Sequence, residues 1–479
     1  MFMLENSDFF FDQDDVPEEL IAKYETGTQI GTPAFFDVED YEVLFFYYAN
    51  SGEMKNAQNV LNQALAQHPE NTELQFLETE YYLRKNNFSH ALRCINEITE
   101  KEPYNTDALI SKSNVLVHCN RVDEAMELLF ETLRDLPEKE ESGHIIMDFA
   151  YRIIDSEHIA RAPEILLKAI KYPENEDEVI CELVYVYEIL ETPEKAVAFL
   201  EDFLDDHPYS YTAWNNLGII YLGKHEYKKA LRAYDLCSVI HSDDPMAYFN
   251  KAMCLKALHE YEEAIEHLKE SLKYERNVKS LYLKNIADLY VETENYYEAE
   301  KYYLKACRTE EKLFGNEITT GCYISLAKVT AIQDRFKEAQ TYAQKAVNES
   351  PERYDTHLAL ANILDQTNNP EAENHYQTAL KKSPENELVY IDFSDHLYRS
   401  GKEEKAFELL HKAALQLEDP TMVNYQSVIL NFKSGYYDDA YDLLFLVLEN
   451  DEELADKLIE DLPEILNHPE FINLMSDYR

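Results

Sequence analysis

WNNLGIIYLGKHEYKKALRAY, residues 214 to 234, contains the only tryptophan in the chain. Leu217, Gly218 and Tyr221 follow Trp214 at helical offsets, and Ala230 and Tyr234 stand four residues apart after the intervening GKHE. An α-helix returns to one face every 3.6 residues, so each set forms a stripe and the stretch reads as two short helices joined by a tight turn. Gly218 lies inside the first helix, where it costs about 1 kcal/mol relative to alanine. The compensation lies in size. Small residues at Gly218 and Ala230 let two backbones approach closely, and burial of the neighbouring aromatics offsets the propensity cost. Trp214 reads as a packing residue for the same reason.

The motif recurs along the chain. Alanines in the place of Ala230 stand at Ala57, Ala91, Ala125, Ala162, Ala196, Ala264, Ala299, Ala339, Ala372, Ala406 and Ala440. The steps, in order and with Ala230 included, are 34, 34, 37, 34, 34, 34, 35, 40, 33, 34 and 34 residues. Because the register rests on alanine, other positions test it. Four residues later come Leu61, Ile95, Leu129, Leu166, Leu200, Tyr234, Leu268, Tyr303, Ala343, Tyr376, Leu410 and Leu444, of which only Ala343 is small. Twelve residues after the alanine stand Pro69, Pro103, Pro137, Pro208, Pro351 and Pro384, six hits from a chain with 16 prolines in 479 positions. Proline stops the second helix before the next unit begins. The place of Gly218 is taken by Ser113, Ala150, Ala252, Ala287, Ala327 and Ser394, whereas Phe45 and Leu360 depart from it, so looser packing is expected in the first and tenth units.

This pattern resembles the tetratricopeptide (TPR) repeat family, whose unit is a 34-residue helix-turn-helix with a W-x2-L-G-x2-Y…A-x3-F…P signature. Residues 211 to 244 match it closely, and weaker copies cover the chain from Val38 to Asp451. The resemblance implies an all-α fold, a right-handed α-solenoid (superhelix) of about twelve tandem hairpins, since one hairpin cannot bury its apolar face alone. Residues 1–37 are expected to form a partly ordered lead-in, acidic and aromatic, with Phe9, Phe10, Phe11, Phe35 and Phe36. Residues 38–450 form the array and residues 451–479 supply C-terminal capping helices. The 40-residue step, with RTEEKLFGNEITT at 308–320, is similar to the longer repeat of kinesin light chains, in which the second helix gains a turn. The 37-residue step, near Glu138 to His144, reads as a looser loop.

Composition narrows the function. With 44 Lys+Arg against 93 Asp+Glu, the formal net charge is −49, which repels phosphate backbones and disfavours nucleic-acid binding. It favours basic partners instead. Seven cysteines, an odd number with no C-x-x-C pair, read as reduced thiols in a cytoplasmic protein. The first residues, MFMLENSDFFFDQDD, have no basic n-region and do not read as a signal peptide. No apolar run approaches the roughly 18 residues that span a bilayer, so no membrane insertion is expected. No nucleophile elbow, phosphate loop or dinucleotide fingerprint is present. HEYKK at His225 and HEYEE at His259 fail as zinc helices because Lys229 and Glu263 stand where a second histidine is needed. No catalytic residue, metal or cofactor is expected, and the chain reads as a non-enzyme.

In the family, the first helix of each unit lines a concave groove, and peptides dock at residues two, five, six, nine and twelve. Counting Tyr211 as residue one of its unit, sixth-position asparagines stand in three successive units, at Asn216, Asn250 and Asn285. They resemble the asparagine ladder of O-linked N-acetylglucosamine transferases, which grips peptide backbone. An amide suits that task because it offers donors and an acceptor to an extended main chain. The ladder gives way to Ser325 on one side and to Glu182 and Asp148 on the other. Asn215, Tyr185, Phe249, Met253, Lys284 and Asp288 are the neighbouring candidates for peptide contact. The chaperone-tail carboxylate clamp found in other family members is not reproduced, since Asn215 and Ile219 take its lysine and asparagine places. The acids Asp148, Glu182, Asp392 and Asp395 point to a partner with basic residues. The expected function is a scaffold that binds a protein or extended peptide in its groove. The alternative is a regulatory sensor for a small signal molecule or short peptide.

Overall fold

The computed structural model describes residues 18–30, 34–134, 139–172, 176–309, 316–451 and 453–472. Phe9, Phe10, Phe11 and Pro137 lie outside the described residues, as does 310–315 within the 40-residue step. The described residues are helical and contain no strand. Contacts divide the chain into two units, Met1–Ile220 and Tyr221–Arg479, and the boundary falls inside a helix, Tyr211–Gly223.

In the first unit, α1 (Glu18–Ile30) precedes the pairs α2 (Val38–Asn50) and α3 (Met54–Gln67), α4 (Thr72–Arg84) and α5 (Phe88–Lys101), and α6 (Thr106–His118) and α7 (Val122–Arg134). There follow α8 (Lys139–Ile154) and α9 (Ala162–Ala169), α10 (Glu176–Ile189) and α11 (Pro193–Asp206), then α12 (Tyr211–Gly223). The second unit runs through α13 (Tyr227–Ile240), α14 (Pro245–Ala257) and α15 (Tyr261–Tyr274), α16 (Lys279–Glu292) and α17 (Tyr296–Ala306), and α18 (Glu317–Ile332) and α19 (Phe336–Glu349). It continues with α20 (Tyr354–Gln366) and α21 (Ala372–Lys382), α22 (Glu387–Arg399) and α23 (Glu403–Gln416), and α24 (Thr421–Ser434) and α25 (Tyr437–Asn450), and ends with α26 (Leu454–Asp461). Consecutive pairs stack in sequence order within each unit, which makes the fold an all-α solenoid.

Local chemistry explains the boundaries. Five second helices stop two residues before a proline, at Gln67, Lys101, Asp206, Glu349 and Lys382. Asn71, Asn105 and Asn386 cap helices that follow such stops, and Asp244 caps α14, each side chain accepting from a backbone N–H of the first turn. The hairpin turns, except that between α8 and α9, share one feature that apolar periodicity does not reveal. Positive φ occurs at Gly52, Asn86, Asn120, Glu191, His225, His259, Glu294, Asp334, Asn368, Gly401 and Gly435, the residue where each chain reverses between the two helices of a pair. His225 and His259 thus belong to the turn.

The cores follow the repeat. In the second unit the small pairs Ala252 with Ala264, Ala287 with Ala299 and Ala327 with Ala339 lie within shared apolar clusters, all with no exposed surface. Gly218 and Ala230 are both buried, each in its own unit. In the lead-in, Tyr24 and Phe36 pack into the cluster of α2 and α3. The Ala34 carbonyl accepts from the Gln63 and Gln67 amides at 3.0 and 2.9 Å. At the other end Leu454, Leu458, Ile465 and Phe471 cover the last pair.

Four local expectations change. The segment Lys139 to His144 is the start of α8, not a loop, and the extra residues of the 37-residue step fall between α8 and α9, where Ile159–Arg161 form one 3-10 turn. In the 40-residue step the second helix is not longer: α17 has 11 residues, and it is the next first helix, α18, that reaches 16. The tenth unit does not pack loosely at Leu360. Its missing residue lies in the turn after α20, so the first-helix register is undisturbed and Ala361, 34 residues after Ala327, takes the small position with no exposed surface. Phe45 is likewise wholly buried, edge-on to Phe46 at 5.3 Å between ring centroids.

Candidate peptide-binding site

Five first helices are tied to the loop before them by their fourth residue. Trp214 Nε1 donates to the Pro208 carbonyl at 2.9 Å, Tyr248 Oη to Ser242 at 3.1 Å, Tyr390 Oη to Pro384 at 2.9 Å and Gln75 Nε2 to Pro69 at 3.4 Å. His357 Nε2 lies 3.1 Å from the Pro351 carbonyl. The acceptor is always six residues earlier. In four of the five the acceptor is a proline that ends the preceding helix, and in every case the tie satisfies a loop carbonyl. Trp214 therefore positions the helix that carries Asn215 and Asn216, a role beyond packing.

Two of the three ladder asparagines make the same local bond. In the first unit, Asn216 Nδ2 donates to the Thr212 carbonyl at 2.9 Å and lies 3.8 Å from Cys181 Sγ on α10. In the second unit, Asn285 Nδ2 donates to the Leu281 carbonyl, also at 2.9 Å. Each amide is held by the turn below it, which restricts its rotamers and leaves the carbonyl oxygen uncommitted; the second N–H of Asn216 meets Cys181 Sγ, and that of Asn285 is open. Asn250, half-buried on α14, has no side-chain partner among the described residues.

The neighbouring candidates divide into groups. Tyr185 on α10 is 51% exposed, and Asn215 is half-buried beside Asn216. Phe249 and Met253 pack partly on the α14–α16 core, with the Phe249 ring 4.9 Å from that of Tyr282. Lys284 and Asp288 are paired with each other at 2.8 Å, and Tyr303 Oη donates to the other oxygen of Asp288 at 2.6 Å. That second tie comes from the second helix of the same pair, and sequence spacing alone does not reveal it.

The acids are not equivalent. Burial, and then the charges of Glu178 and Asp155, raise the Glu182 carboxyl above the usual range, and its carboxylate has no hydrogen-bond partner among the described residues. Burial also raises Asp392, which accepts from Asn362 Nδ2 at 2.8 Å. Asp395 is already paired with Arg399 at 2.8 Å, and the same guanidinium holds Asp365, which also bonds His396. Among the described residues no group of three or more His, Cys, Asp or Glu is arranged to hold a metal, and no helix is long and apolar enough to cross a membrane.

Two family models match, both described as tetratricopeptide repeat, at residues 245–278 and 283–312. Superkiller protein 3 of Schizosaccharomyces pombe is 28% identical over 138 residues, 29% of this chain and 10% of that protein, so the chain spans about a tenth of the length of the relative it matches. Among solved structures, yeast Tom70 is 15% identical over 96% of each chain with a TM-score of 0.45. The pilF protein of Pseudomonas aeruginosa is 17% identical over 43% of this chain and 90% of that one, with a TM-score of 0.36. With matched repeats at α14 to α17, and helix pairs with the same left-handed turn residue at every described hairpin but that of α8 and α9, the chain carries tetratricopeptide repeats.

Proposed function

We propose that the protein is a non-catalytic scaffold that binds an extended segment of a protein partner along its first helices. On the first unit Asn216 grips main chain while Asn215 and Tyr185 contact side chains; on the second, Asn250 and Asn285 grip main chain while Phe249, Met253, Lys284 and Asp288 contact side chains. One observation carries the reading: Asn216 and Asn285, in different repeats, hold their amides by the same bond to the carbonyl four residues back. That bond fixes each amide on its helix with its oxygen still open to an extended main chain. Glu182 supports a basic partner, because a carboxylate crowded by Glu178 and Asp155 is stabilised by an incoming cation. The odd cysteine count without a C-x-x-C pair suits work in the cytoplasm.

The test begins with peptides selected on the intact protein from a displayed random library, with affinities then measured by fluorescence anisotropy. N216A/N250A/N285A is expected to weaken the selected peptides at least tenfold, about 1.4 kcal/mol or more, with an unchanged circular dichroism spectrum. Equal affinity in the triple variant refutes the groove assignment.

A further inference from the structure

The last hairpin departs from the repeat at positions that elsewhere build the core. Trp214, Leu217 and Tyr221 of the sixth repeat correspond, 210 residues on, to Asn424, Ser427 and Asn431 of α24. The three polar residues are buried, at 6, 9 and 7% exposure. Nothing large replaces the missing rings, and a cavity of about 520 Å³ lies between α23, α24 and α25.

The lining has three chemical parts. Phe407 and Leu410 of α23 and Leu443 of α25 make apolar walls. Asn424, Ser427 and Asn431 make the floor. Asp439 and Asp442, both exposed, stand at the mouth on α25, and His411 also faces the space. Ser427 Oγ donates to the Val423 carbonyl at 3.0 Å and Asn431 Nδ2 to the Ser427 carbonyl at 2.8 Å, so what these side chains still offer is mainly acceptor oxygen. Asn424 is at the fourth position, which in five other repeats reaches back six residues to a carbonyl, yet its amide has no partner among the described residues. Asn424 is otherwise enclosed and lines the cavity, so its amide is open there to a group that arrives from outside.

We propose that this cavity is a docking pocket for an arginine side chain of a partner protein. Arginine matches all three parts. Its methylene stem lies along apolar walls while its planar head, with five N–H donors and no acceptor, meets acceptor oxygens and carboxylates. An acidic or phosphorylated side chain is repelled by Asp439, Asp442 and the net charge of −49. The pocket is built with two second helices, α23 and α25, and shares no residue with the first-helix asparagines.

The experiment uses the full chain and two fluorescein-labelled heptapeptides, Gly-Ala-Leu-Arg-Leu-Ala-Gly and its citrulline counterpart, which is isosteric but uncharged. Anisotropy is expected to show the arginine peptide binding at least tenfold more tightly than the citrulline peptide. D439N/D442N should weaken it at least tenfold, and S427L/N431Y, which restores apolar residues of the repeat, should abolish it. Equal binding of the two peptides, or undiminished binding by D439N/D442N, overturns the proposal. Should S427L/N431Y not fold, the exposed D439N/D442N pair decides alone. Loss of binding in N250A/N285A, with D439N/D442N unaffected, refutes the pocket and leaves the first-helix reading standing.

Discussion

Tyr234, Tyr303 and Tyr376 occupy the same place, four residues after a repeat alanine, and are 0, 2 and 1% exposed. Removing the hydroxyl should nevertheless change stability with different signs, because the hydroxyls have different partners. Tyr303 Oη donates to Asp288 Oδ1 at 2.6 Å, and Tyr376 Oη to Asn362 Oδ1 at 2.6 Å. Tyr234 Oη is buried with no partner among the described residues. Burial, and then the charge of Asp288, push the Tyr303 phenol above its usual range, so it remains a donor at neutral pH. A hydrogen bond to a charged group contributes about 1.5–3 kcal/mol. Asp288 keeps Lys284, and its side chain is 25% exposed, so water replaces part of the loss and the lower figure of about 1.5 kcal/mol applies. Y303F should therefore speed exchange in α16 and α17 roughly tenfold. Y234F removes an unsatisfied buried group and should stabilise α13 and α14 by about 1 kcal/mol. Repeat arrays open locally and violate two-state melting, so the assay is hydrogen exchange read by mass spectrometry, peptide by peptide. Equal shifts of the same sign in Y303F and Y234F would refute the reasoning, since they would show that packing, not hydroxyl partnership, sets the effect.

Two further expectations concern charge and backbone. A carboxyl with a raised folded pKa binds its proton more tightly in the folded state, so Asp392 costs stability as pH rises from about 4, the unfolded value, through the raised one. D392N can still accept from Asn362 and should flatten that slope, so that the melting point of the variant gains on wild type as pH rises; parallel profiles from pH 4 to 8 would contradict this. Gly401 has a φ of +74°, and a Cβ there meets nothing within 4 Å, so G401A should cost only backbone strain, about 1 kcal/mol. G401N should cost less, because asparagine tolerates the left-handed region and stands there at Asn86, Asn120 and Asn368. Exchange in α22 and α23 is the measurement, and equal costs for the two variants would count against the turn argument.

The periodicity carried much of this. Steps of 34 residues between alanines located twelve helix pairs, because a hairpin's buried stripe is a local property of each segment. Prolines mark where second helices end, and the sixth position of the repeat places Asn216, Asn250 and Asn285 on first helices. Where a step departed from 34, counting gave the size of the change but not its place. The three added residues before Ala162 fell in the turn after α8, and the one lost before Ala372 fell in the turn after α20.

Sequence alone determined the helical class, the hairpin unit and the register, since all three follow from which residues are apolar at which offsets along one chain. Only the tertiary structure decided the partners. It joined Asp365 to His396 and Arg399 and Asn362 to Asp392 across helices, gave Tyr303 a carboxylate and Tyr234 none, and left Asn424 facing a cavity. The physical reason is that a hydrogen bond, an ion pair or a void depends on angstrom-scale distances between side chains, many of them on separate helices, and one-dimensional spacing does not carry those distances.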